Sequence, residues 1–113
     1  MIRIYHNPRC SKSRQTLELI QNAGQQPEVV EYLKTPPTAT ELKELLQKLN
    51  LKPEQILRKG EQLYKDKYKS QQLSDEELIQ VLAENPVLIE RPIVVKDNKA
   101  VLGRPPENVL SIL

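Results

Sequence analysis

Between residues 1 and 33 the chain changes its hydrophobic period twice, and this double change restricts the possible folds more than any other feature. "IRIY" (2–5) is a short β-rich run that Asn7-Pro8 interrupts. From Ser11 onward Leu17, Ile20 and Ala23 recur at helical spacing until Gly24, a residue suited to ending a helix. "EVVEYL" (28–33) returns to strand-forming composition. Strand, loop, helix and strand make a β-α-β unit, whose right-handed crossover sets its two strands parallel and side by side.

The segment "TPPTATELKELLQKLN" opens with Thr38 and Glu41 at capping-box spacing and carries Leu42, Leu45, Leu46 and Leu49 at i, i+3, i+4 and i+7. That face is expected in the core. Pro53 fits the first turn of a short helix through Ile56 and Leu57, and the polar stretch "RKGEQLYKDKYKS" after it is expected at the surface. Ser74 and Glu77 repeat the capping signal before a helix that should bury Leu78, Val81 and Leu82 and stop at Asn85-Pro86. The last segment reads as a hairpin, with strands at 93–96 and 100–102 around an Asp97-Asn98 turn, then a terminal helix started by Pro105-Pro106. One parallel and one antiparallel pair require a mixed sheet. The expected fold is α/β: a thioredoxin-like, four-stranded mixed sheet flanked by helices, with a helical insertion between the β-α-β unit and the C-terminal hairpin.

A length of 113 residues suits one domain spanning 1–113, and no repeat, low-complexity segment or linker divides it. Seventeen Lys and Arg against fifteen Asp and Glu leave a charge of +2, too small an excess to suggest nucleic acid as a partner. No run reaches the roughly 20 apolar residues of a membrane helix, and the N-terminus has no apolar run of signal-peptide length. A cytoplasmic protein with no membrane partner is expected. One Cys and one His do not make a zinc site, so no metal is expected. Ser13 stands where a Cys-x-x-Cys pair would need its second thiol, so anything attached to Cys10 must be resolved from outside the chain.

That lone cysteine sits in "YHNPRCSKSRQTL" (5–17), between a turn and a helix start, at the carboxyl end of the first strand where α/β sheets bind ligands. Unpaired amides and the helix dipole favour the thiolate there. Arg9, Lys12 and Arg14 add positive charge, and His6 offers a hydrogen bond or a charge. The same amides can hold an oxyanion, with Ser11 and Ser13 as further donors. The competing readings are a buried, inert thiol and, for His6, an imidazole with a satisfied hydrogen bond and no catalytic part. Arg58, Arg91 and Arg104 each lie at the end of an element. A guanidinium binds oxyanions through paired hydrogen bonds, although any single arginine also reads as a solvated surface charge.

Taken together, "YHNPRCSKSRQTL", Leu57-Arg58, "LIERPIVV" and "GRPPENVL" resemble the glutaredoxin-coupled arsenate reductase (ArsC) family, including its smaller ArsC-like bacterial branch, along essentially the whole chain. The resemblance implies a thioredoxin-like fold, Cys10 as nucleophile, and Arg58, Arg91 and Arg104 around the oxyanion. It implies that His6 helps to lower the thiol pKa and that the Arg91-Pro92 bond is cis. The implied reaction reduces arsenate to arsenite through a Cys10 thiolate adduct, with glutathione as reductant, glutaredoxin as protein partner and no bound cofactor. The chain is expected to be a monomer. It departs from the common family pattern in carrying Ser11 and Lys12 after the cysteine, where Gly and Thr are usual. Two other classes stay open: a glutathione-dependent thiol-disulfide reductase acting on another substrate, and an Spx-type regulator that binds RNA polymerase. Ser13 counts against the second, because such regulators usually carry a Cys-x-x-Cys pair.

Overall fold

Four strands form one mixed sheet in the order β2-β1-β3-β4: β1 (Ile2–His6), β2 (Glu28–Glu31), β3 (Ile93–Lys96) and β4 (Lys99–Leu102). The computed structural model describes all residues 1–113. β1 lies parallel to β2, with Ile4 opposite Val29, and antiparallel to β3, with Ile4 opposite Val94. β3 and β4 make the C-terminal hairpin, and Asp97 takes a left-handed φ of 56° at its turn. The expected thioredoxin-like α/β architecture is the observed one.

The chain divides into two compact units, Met1–Thr35 with Arg91–Leu113, and Pro36–Glu90. In the first unit, pleating sends Ile2 and Ile4 of β1 to the same face. They are buried with Val94 of β3, Ile20 of helix α1 (Ser11–Asn22) and Val109 of the terminal 3₁₀ helix (Pro106–Ile112). Gly24 ends α1 as its sequence suggests, at φ 78° and with its amide donating to the Gln21 carbonyl. β2 stops at Glu31 instead of running through residue 33. The Glu31 carbonyl accepts the amides of Lys34 and Thr35, and this turn takes Tyr32 out of the strand.

Gly103 draws the end of β4 onto α1. A Cβ there would lie 2.5 Å from Thr16 Oγ1 and 2.7 Å from Pro92 Cγ, so only glycine allows this approach. The Gly103 amide donates to the Pro92 carbonyl at 2.9 Å, and the buried Thr16 hydroxyl donates to the Lys12 carbonyl at 2.8 Å. Residues 91–92 and 103–104 are thereby tied to the first turns of α1. The Arg91-Pro92 bond is cis, as the family resemblance implies, and Arg104-Pro105, which the sequence reading did not single out, is cis as well.

In the second unit helix α2 (Ala39–Leu49) begins with the expected capping box and buries Leu42, Leu45 and Leu46, while Leu49 is half-buried. Helix α3 (Asp75–Glu84) also has its capping box, but its inward face differs from expectation: Ile79 is buried with Leu78 and Leu82, and Val81 is half-buried. α3 packs against α2 and against the 3₁₀ turns Pro53–Ile56 and Pro86–Leu88, which broadens its buried face beyond a single heptad stripe. The polar stretch after Leu57 is not all surface. It forms a π-type turn over Tyr64–Tyr68, and Tyr68 is buried with its hydroxyl accepting from Asn85 Nδ2 at 3.3 Å. A tyrosine can bury its ring while its hydroxyl keeps a hydrogen-bond partner. No helix in the protein is long and apolar enough to cross a membrane.

Candidate active site

Cys10 is the N-cap residue of α1, with extended backbone angles, and its side chain makes no capping hydrogen bond. Its amide donates to the Asn7 carbonyl and its carbonyl accepts the Arg14 amide, both at 3.0 Å. The loop before it is braced from several directions. Asn7 Oδ1 accepts the Arg9 amide at 3.0 Å, an Asx-type turn. The Asn7 amide donates to Ser13 Oγ at 3.0 Å, and the Arg14 guanidinium donates to the Pro8 carbonyl at 2.9 Å. The sulfur is thus carried on a loop that the following helix itself holds in place.

Cys10 is partly buried. Burial alone would raise the thiol pKa, but the Ser13 amide, the Arg91 guanidinium and the Lys12 amide act on the sulfur and together hold it below its ordinary value. Lys12 contributes through its backbone while its side chain is exposed. The unusual Ser11-Lys12 pair therefore leaves the amide donors of the loop in place. Ser11, at the first position of α1, is exposed, whereas Ser13 is fully buried.

His6 lies at the end of β1 and is buried, with Nδ1 2.6 Å from Ser13 Oγ. Ser13 Oγ already accepts the Asn7 amide, so its own proton is available to Nδ1 when the imidazole carries its proton on Nε2. Burial lowers the His6 pKa, the Glu31 carboxylate opposes that shift, and the Arg14 charge adds to it. The geometry joins His6 to Ser13, and through Ser13 to the loop around the sulfur.

The three arginines belong to both compact units. The Arg91 guanidinium reaches the Cys10 sulfur, and its Nε is buried with no hydrogen-bond partner. The Arg104 guanidinium donates to the Arg91 carbonyl at 3.2 Å, so these two meet in the first unit. Arg58 belongs to the second unit, where Nη1 lies 3.1 Å from Glu61 Oε1 and Nε lies 3.2 Å from Glu90 Oε1.

The sequence reading missed Tyr32. It is 2% exposed, and no group meets hydrogen-bond geometry with its hydroxyl. Asn7, Arg91 and Cys10 nevertheless lie close enough to influence its ionisation. A usable signal existed: Tyr32 follows β2, which is parallel to β1, and the carboxyl ends of parallel neighbours share one edge of the sheet.

The sequence model of the ArsC family matches residues 5–112. An arsenate reductase of Neisseria meningitidis is 44% identical, over 99% of this chain and 97% of its own. An arsenate reductase of Haemophilus influenzae is 46% identical over 97% of each. The uncharacterized protein YfgD of Escherichia coli is 51% identical, over 99% of this chain and 96% of its own. The solved structure of an arsenate reductase from Vibrio cholerae superposes with a TM-score of 0.95 at 52% identity, covering 99% of this chain and 97% of that one.

Proposed function

The chain belongs to the ArsC family, and from that premise we propose that it is an arsenate reductase that forms a covalent intermediate on Cys10. The observation that carries the reading is the pairing of a thiol held below its ordinary pKa with a guanidinium whose buried Nε lacks a partner. A nucleophile and a donor for an oxyanion occupy the same place.

In the proposed reaction the Cys10 thiolate attacks arsenic(V), an S–As bond forms, and one arsenate oxygen takes up two protons and leaves as water. The loop amides and Arg91, with Arg104 beside it, offset the charge of the remaining oxygens. Reduction to arsenic(III) takes two electrons, and the chain has one thiol. Glutathione supplies the next sulfur, giving a Cys10–arsenic–glutathione species and a second water. A glutaredoxin thiol then attacks the glutathione sulfur. The disulfide so formed accounts for the two electrons, and water releases arsenite from Cys10. The names of the Neisseria and Haemophilus relatives support arsenate as the substrate.

The test is arsenite formation by purified protein with arsenate, glutathione, glutaredoxin and NADPH-coupled glutathione reductase, comparing wild type with Cys10→Ser. Turnover that disappears in the folded Cys10→Ser protein is expected. A wild-type thiol that is alkylated rapidly at neutral pH, with no arsenite formed, would overturn arsenate as the substrate.

A further inference from the structure

Native proteins seldom bury a polar group without a partner, and those that do often hold it for something absent. Two such orphans lie beside Cys10: the hydroxyl of Tyr32 and Nε of Arg91. Both act on a common centre. The Arg91 guanidinium acts on the Cys10 sulfur, and the charges of Arg91 and Cys10 both bear on the Tyr32 phenol. Tyr32 arrives there because the turn that ends β2 at Glu31 releases it from the strand, and its side chain is buried there.

We propose that Tyr32 Oη and Arg91 Nε are two donors of a single cradle, in which the Tyr32 hydroxyl donates a hydrogen bond to one oxygen of a tetrahedral oxyanion seated against Cys10 Sγ. The proposal rests on the arsenate-reductase reading for the identity of the anion only. It makes Tyr32 a substrate-contacting residue, and a donor in place of an acid. Burial raises the phenol pKa and the Cys10 charge raises it further, while Arg91 and Asn7 lower it only in part. The hydroxyl therefore keeps its proton more firmly than the thiol does. A neutral donor fixed in a site partly shielded from water favours charge that builds on the anion as sulfur attacks.

Tyr32→Phe keeps the ring and removes only the hydroxyl. The readouts are protection of Cys10 from iodoacetamide by arsenate and by phosphate, the pH profile of that alkylation, the thermal midpoint, and KM and kcat for arsenate. Anion protection is expected to weaken by about tenfold to a hundredfold, as for loss of one hydrogen bond to a charged group. The thermal midpoint should stay or rise, because an unpaired buried hydroxyl is gone. Protection equal to wild type would overturn the proposal. So would a weakening matched by an equal rise in the alkylation pKa or by a fall in the midpoint, since either would mark Tyr32 as structural. Arsenite formed equally well by Tyr32→Phe removes the cradle and leaves the reductase reading standing. Tyr32-dependent anion protection without arsenite formation keeps the cradle and removes arsenate as substrate. Absence of any anion protection in wild type removes the cradle.

Discussion

Three α-helices begin in this chain, and two of them begin alike. α2 and α3 each start at a hydroxyl, Thr38 or Ser74, that accepts the amide of a glutamate three residues on, and the carboxylate of Glu41 or Glu77 accepts the N-cap amide in return. Acidic side chains meet the positive end of each helix: Glu41 in α2, and Asp75, Glu76 and Glu77 in α3. α1 begins at a thiol that makes no capping bond, and its first turn has no acid. Its Lys12 and Ser13 amides turn to the sulfur. A cap of the α2 kind contributes about 0.5–2 kcal/mol, and α1 forgoes it. In the proposed reaction the helix that carries Cys10 leaves its positive end for a thiolate, while α2 and α3 neutralise theirs from within.

The largest test of that contrast outside Cys10 itself is Arg91→Ala, which removes a guanidinium that acts on the sulfur and leaves the Ser13 and Lys12 amides in place. A loss of about 10²–10³ in kcat/KM is expected, together with an alkylation profile moved to higher pH. Arg58→Ala is the counterpart. Its guanidinium is held by Glu61 and Glu90, all three about a quarter exposed, so its removal should lower stability by about 1 kcal/mol and reduce kcat/KM less than Arg91→Ala does. Equal kinetic losses with an unchanged thermal midpoint for Arg58→Ala would break the distinction between the two arginines.

A milder change makes α1 resemble its siblings. Ser11→Asp puts an acid into its first turn at an exposed position. The helix should gain about 0.3–1 kcal/mol from the dipole, while the thiol pKa rises and alkylation at pH 7 slows severalfold. Stability and reactivity moving in opposite directions would sharpen the comparison. An alkylation rate equal to wild type would show that the open helix end does not activate Cys10.

What could be read from the sequence was what neighbouring residues decide. The periodic switch at Asn7-Pro8, the stop at Gly24, both capping boxes and the hairpin at Asp97-Asn98 rest on residues a few positions apart, and each stands in the structure. What could not be read depends on distant partners. Ile79 replaces Val81 in the core because α3 meets three elements at once. Tyr68 is buried in a polar run by packing that the run does not encode. The site divides in the same way. The position of Cys10 follows from local pattern, and Arg91 and Arg104 stand out by their places at the ends of elements, with their role coming only from the family resemblance. The ion pairs of Arg58 with Glu61 and Glu90, the place of Tyr32 and the bond of His6 to Ser13 all needed the tertiary structure.

His6 carries the smallest of the expected effects and tests the comparison from the strand side. Burial holds its pKa below 6.5, so the folded protein keeps a neutral imidazole where the unfolded chain takes up a proton. Below that value the unfolded state binds more protons than the native state. The stability contribution of His6 is therefore complete above about 6.5 and is lost as pH falls through the lower, folded-state pKa. Urea unfolding of wild type and His6→Gln at pH 7 and pH 5 isolates this contribution, because the carboxylates are common to both proteins. Wild type should lose more stability on acidification than the variant, and equal losses would mean that the imidazole titrates alike in both states. Since the His6 bond goes to Ser13, the alkylation profile of His6→Gln should move less than that of Arg91→Ala. A larger movement would make the imidazole, ahead of the open helix end and its arginine, the principal support of the thiolate.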